Sequence, residues 1–204
     1  MSDRRPLLRD LIQTFFTDYL WLVEPDSAVH MWLDRITFCE PESFQQTGVV
    51  AEVRSHRGEL VTVLVQIEPE ALAPEEIARR LAHSLLELGL RYGQPVLVSV
   101  LYLQGGRPGI HLESGVLSEA CGIELARIFY TSFAVAESRA EHFLERPEPL
   151  AWAFAALMTP AKRTPEEHRR ACLERIAAAP VDEERRLLLL RGAEAFLPPI
   201  AEVA

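Results

Sequence analysis

The sequence predicts an α/β fold, and three neighbouring stretches carry that prediction. Two runs with strand character, residues 49–54 and 60–68 (LVTVLVQIE), flank Ser55-His56-Arg57-Gly58-Glu59, a hairpin-like turn that pairs them antiparallel. An amphipathic stretch follows, opened by Pro74-Glu75-Glu76, continued by Ile77, Leu81, Leu85 and Leu88, and stopped at Gly93. Residues 95–103 (PVLVSVLYL) then form a near-continuous apolar run, the pattern of a strand buried on both faces and pairing parallel inside a sheet.

The remaining elements follow in chain order. Residues 7–23 carry apolar side chains at helical spacing, including Leu8, Leu11, Ile12, Phe15 and Tyr19, and predict a first helix. A short second helix is expected over residues 27–33, with extended chain over 35–40. Gly105-Gly106-Arg107-Pro108-Gly109 reads as a turn, residues 110–113 as a short strand, 129–134 as extended and 140–144 as helical. Beyond Arg146-Pro147-Glu148-Pro149 three helices are expected, over residues 150–158, 165–178 and 182–196, with Thr164 and Asp182 as caps. The simplest organisation is a core over residues 1–146 with a helical extension over 147–204 packed on it.

Composition narrows the function classes. The chain has 204 residues, 49% of them hydrophobic and 25% charged, enough to bury one substantial core. Its net charge of −9 removes any global basic field for nucleic acid, so DNA contact would have to be weak or local. Lys162 is the only lysine, which leaves arginine as the main source of cationic chemistry. Cys39, Cys121 and Cys172 are odd in number and widely spaced, without a C-x-x-C pair or a secretory leader, an expectation of the reducing cytoplasm. The longest apolar runs are about half the roughly 20 residues of a membrane span.

The one active-site-like feature is Glu68-Pro69-Glu70, where the second strand runs out toward the helix. Two carboxylates at i and i+2 on extended backbone share a face, and with a third acidic group they would suit Mg²⁺ or Mn²⁺. Solvated carboxylates, or carboxylates at the start of the next helix, account for the same spacing. The six histidines show no H-E-x-x-H spacing, no serine lies in a G-x-S-x-G context, and the glycine-rich turn lacks the Walker lysine. Arg79-Arg80 and Lys162-Arg163 have acidic neighbours and read as balanced, solvated faces. Trp152, Phe154, Leu157 and Met158 form an apolar cluster that reads either as core or as the surface of a homodimer.

Seven blocks carry a wider resemblance: R-P-L-L-R-D-L-I-Q-T-F-F at 5–16, W-L-D-R at 32–35, V-V-A-E-V-R at 49–54, V-Q-I-E-P-E at 65–70, Y-G-Q-P-V at 92–96, P-L-A-W-A-F-A-A-L-M at 149–158 and A-E-A-F-L-P at 193–198. Together they resemble the Rpn family of recombination-promoting nucleases, also described as transposases, which belongs to the PD-(D/E)XK nuclease superfamily. The resemblance implies a restriction-endonuclease-like mixed sheet flanked by helices and Mg²⁺- or Mn²⁺-dependent DNA cleavage. It also implies a metal held by an Asp on one strand and a Glu on the next, followed two residues later by a polar group. On that pattern Glu68 falls on the metal-binding Glu, Glu70 on the polar position and Gly48 on the Asp. Asp3 is displaced from the acidic position of the opening motif, where Arg5 stands. These departures imply a degenerate site with little or no cleavage and no bound metal. Glu52, farther along the same strand face, and Glu40 or Glu42 are the substitutes that would restore a catalytic pair with Glu68. The alternative is a non-enzymatic interaction or regulatory scaffold.

Overall fold

A computed structural model describes Asp10, residues 23–30, 47–120 and 123–196. Its elements are strands β1 (Val23–His30), β2 (Thr47–Ser55) and β3 (Leu60–Glu70), helix α1 (Pro74–Tyr92), and strands β4 (Val96–Gln104), β5 (Ile110–Ala120) and β6 (Ile123–Ala134). Helices α2 (Ala140–Leu144), α3 (Pro149–Ala155), α4 (Pro165–Ala177) and α5 (Glu183–Phe196) complete the order. The strands form one six-stranded mixed sheet in the order β1-β2-β3-β4-β6-β5. β1, β2 and β3 pair antiparallel, β3, β4 and β6 pair parallel, and β5 returns antiparallel to β6. The chain is therefore an α/β protein with helices on both faces of a mixed sheet.

Alternation along the strands decides which layer each side chain joins. Val61, Val63 and Val65 of β3 face the tail helices and share a core with Trp152, Phe154, Cys172 and Ile176. Leu64, with Val98, Val100 and Tyr102 of β4, faces the other way and packs against Ile77, Leu81 and Leu88 of α1. Each such buried leucine contributes roughly 1.5–3 kcal/mol through the water it leaves. β4 has a helical layer on each face, which is why its sequence is apolar almost without interruption.

The helix ends follow local chemistry. α1 begins with proline in its first turn, carries Glu75 and Glu76 there, and stops at Gly93, whose φ of 64° is the left-handed conformation glycine reaches without penalty. Before α4 the Thr164 hydroxyl accepts from the Glu167 amide at 3.3 Å, and the Glu167 carboxylate accepts from the Thr164 amide at 2.8 Å. Thr164→Ala is expected to lower stability by about 1 kcal/mol in urea denaturation. Asp182 receives the Arg185 amide at 2.8 Å ahead of α5.

Three expectations change. The helix expected over 27–33 is strand over its described part, because β1 gains its backbone partners from β2, with Val29 opposite Glu52 and His30 opposite Ala51. Pro25 is compatible with this, since β1 is an edge strand. β5 and β6 run to Ala120 and back from Ile123, well beyond the short strands expected at 110–113 and 129–134. Trp152, Phe154 and Met158 are buried, so their cluster is core and offers no homodimer surface; the Trp152 indole donates to the Arg146 carbonyl at 2.7 Å. The helix expected over 7–23 lies outside the described residues apart from Asp10, which is helical and ion-paired with Arg185, and Val23, which begins β1. The extended stretch at 35–40 lies outside them altogether. Among the described residues no helix is long and apolar enough to cross a membrane.

Candidate functional site

Glu68 lies near the end of β3 on the sheet face covered by α1, only 2% exposed. The path from β3 to α1 explains its neighbour. To reach β4 in parallel, the chain turns after Glu70 and runs back over the sheet as a helix. Six residues into α1 the helix has returned about 9 Å, against about 7 Å for the two strand residues between Glu68 and the turn. That brings Arg80 over Glu68. Its guanidinium meets Glu68 Oε2 at 2.7 Å and also reaches Glu76 Oε1 at 3.0 Å.

The other carboxylate oxygen is also engaged. Gln66, two residues earlier on the same face, donates from Nε2 to Glu68 Oε1 at 3.1 Å. Burial raises the Glu68 pKa above the ordinary carboxylate value, while Arg80 and the Gln66 hydrogen bond pull it back down. Tyr102 stands beside Glu68 on β4, and burial pushes its phenol up to about 12. Tyr130, on β6, is raised as well, first by burial and then by Tyr102, and its hydroxyl donates to Glu113 at 3.2 Å. The result is a polar seam beneath the first half of α1, in which both Glu68 oxygens are engaged and the Tyr102 hydroxyl is buried without a hydrogen-bond partner among the described residues.

The expected site residues do not all meet there. Gly48 on β2 is opposite Gln66, so a side chain at 48 would enter the seam. A Cβ there would stand 3.3 Å from Gln66 Oε1 and 3.3 Å from the Val65 carbonyl, in space that Gln66 already borders. Glu70 follows Glu68 on the same face but is exposed. Glu52 lies opposite Thr62, six residues along β3 from Glu68, or roughly 20 Å at strand spacing. It belongs to a separate cluster, where Gln94 accepts from Thr62 at 3.1 Å and donates to Glu52 at 2.8 Å. One ion needs oxygens within about 2.6 Å, so Glu52 and Glu68 do not share a metal. Glu40 and Glu42 lie outside the described residues. His83 is exposed on α1, 4.0 Å from Glu87.

These residues do not fit the divalent ion that the family resemblance implies. Glu68 has both oxygens committed, the β2 position opposite Gln66 on the same face is glycine, and a guanidinium supplies the positive charge a cation would bring. Among the described residues no group of three or more His, Cys, Asp or Glu is placed to hold a metal.

Sequence reasoning missed Arg80, Gln66 and Tyr102. Gln66 carried a usable signal, as a polar residue inside an apolar strand that had to find a hydrogen-bond partner. Arg80 carried a misleading one, because Glu76 at i−4 accounts for it as a surface pair. Compared with known proteins, the chain matches no family model, no curated protein and no solved structure.

Proposed function

We propose that this chain is an Rpn-like protein on a PD-(D/E)XK scaffold in which an internal ion pair stands where the nuclease metal would bind. It cleaves DNA little or not at all. The observation that carries this reading is the Arg80–Glu68 contact at 2.7 Å beside Gly48. The positions that the resemblance assigns to the Asp and the Glu lie on adjacent strands and face the same helix, as a metal pair requires. One has lost its carboxylate and the other has gained a guanidinium. The buried carboxylate is then retained as a hydrogen-bonded structural group that ties α1 to the sheet.

A second reading, a non-enzymatic interaction scaffold in the cytoplasm, is favoured by the uncovered apolar face of the β5–β6 hairpin. Any DNA contact would be local and weak against a net charge of −9. The test is plasmid DNA incubated with the purified chain in millimolar Mg²⁺ or Mn²⁺, with thermal melting in the same buffers. No cleavage and an unchanged melting temperature are expected, since an ion that binds only the folded state would raise it. Cleavage that disappears in Glu68→Ala would overturn the proposal.

A further inference from the structure

We infer that His168 is an acid-sensitive latch on the helical tail: its neutral ring fastens α4 to α3, and protonation releases α4 and α5 while the sheet stays folded. α4 is seated by one narrow face. Its buried residues are His168, Cys172 and Ile176, spaced four apart, so one of the three side chains that hold the helix is ionisable. His168 is 3% exposed, and its Nε2 lies 2.8 Å from the carbonyl oxygen of Ala155, the last residue of α3. A carbonyl only accepts, so Nε2 carries the proton of the neutral ring. Cys172 is fully buried one turn on, with its Sγ 3.7 Å from Nε2 and 3.8 Å from Nδ1, and its thiol faces the ring's remaining lone pair. Protonation would turn Nδ1 into a second donor facing a sulfur, which is a weak acceptor.

The charges around the ring do not offset this. Burial is the largest influence and lowers the His168 pKa from 6.5; the Ala155 hydrogen bond raises it, Arg163 in the loop before α4 lowers it and Glu141 of α2 raises it, with a net fall. Glu141 is already engaged, its Oε1 accepting the Ala161 and Lys162 amides at 2.9 and 3.1 Å. α3 has no ionisable side chain, and on α5 Arg185 is turned to Asp10 and Arg186 to the Ala179 and Val181 carbonyls. On α4 itself Glu166, Glu167 and Arg170 are exposed, Arg169 is half-buried, and Glu167 is bonded to the Thr164 amide. A histidine whose pKa falls on folding contributes stability that is present above its unfolded value and lost as pH falls through its folded value. The tail is also where opening costs least. Among the described residues α5 buries Leu189 and Ala193, whereas the sheet keeps α1 on its other face through Ile77, Leu81 and Leu88. A segment held by few buried side chains opens below the cost of global unfolding.

Cys172 reports the latch, because a reagent reaches it only when α4 lifts. The full chain is treated with a pyridyl disulfide at about pH 7.5 and about pH 5, on either side of an ordinary histidine pKa. Modification of Cys172 is read by peptide mass spectrometry against the same thiol in urea-unfolded chain at the same pH, while amide exchange follows β3 and β4. Cys172 is expected to be protected at the higher pH and to lose protection at the lower one, with β3 and β4 still protected. His168→Gln and His168→Leu, which do not titrate, are expected to keep Cys172 protected at both. Equal protection at the two pH values in the wild type overturns the inference without any variant. So does acid exposure shared by β3 and β4, which is global unfolding, and so does acid exposure that persists in either folded variant. In the wild type the His168 ring nitrogens, followed by NMR, should titrate together with Cys172 exposure; exposure while the ring is still neutral overturns the inference as well.

Discussion

Gly115→Ala is expected to lower stability by about 3 kcal/mol, the upper end of the usual cost of overpacking, because the added methyl meets backbone rather than a movable side chain. Its Cβ would stand 2.0 Å from the Pro74 carbonyl oxygen, 2.6 Å from the Pro74 carbonyl carbon and 2.8 Å from Ala78 Cβ. Relief requires α1 to lift from β5, and lifting α1 also draws Arg80 away from Glu68. For a chain of this length the melting temperature should fall by roughly 6–12 °C. Gly89→Ala provides the contrast. Gly89 lies in the same helix with nothing within 4 Å of its Cβ position, so alanine there is expected to add about 0.5–1 kcal/mol. Equal effects at the two glycines would show that helix propensity, and not close packing at Gly115, governs this layer.

Arg80→Met is expected to cost about 2 kcal/mol at neutral pH, below the 3–5 kcal/mol of a fully buried broken pair because the Arg80 side chain is 42% exposed. The larger part of the prediction is its pH dependence. Glu68 already has a folded pKa above the ordinary carboxylate value. A carboxyl raised on folding contributes stability that is fully present below its unfolded pKa and is lost as pH rises through its folded pKa. Arg80 opposes that rise, so removing it moves the folded pKa of Glu68 higher and widens the window of loss. In acid Glu68 is protonated with or without Arg80, and the deficit should shrink toward zero. Above the folded pKa the variant holds an unpaired buried carboxylate, and the deficit should be greatest. Thermal melts from pH 4 to pH 8 would read this directly, and adding Glu68→Gln to Arg80→Met should flatten the profile. A deficit independent of pH would mean that Arg80 acts through its aliphatic packing alone.

The two predictions separate what local sequence could reveal from what it could not. Pro74, Gly93 and Thr164 mark helix ends through chemistry completed within a few residues, and the strand at 96–104 is apolar because both its faces are covered. Such signals fit inside one window of sequence, so the α/β class, the β2–β3 hairpin, α1 and the tail helices were all readable. β1 was not, because its only argument for extension is a partner on β2. Nor was the reach of β5 and β6, whose outer halves are extended only by pairing with each other across register shifts at Val116/Ser118 and Ser118/Glu119.

The candidate site divides in the same way. Its carboxylate Glu68 and the glycine at 48 were visible as residues, whereas their relation to Arg80 depends on a helix returning over the sheet 12 residues later. By itself the sequence determined the α/β class, the ends of α1, the capped start of α4 and the residue type at each position of the seam. Only the tertiary structure decided that Glu68 is met by a guanidinium and that Glu52 is roughly 20 Å away. It also decided that Gly115 lies beneath the Pro74 carbonyl. The physical reason is distance along the chain: caps and periodicity act over one turn or two residues, while burial, charge pairing and close approach are set by strand register and helix crossover.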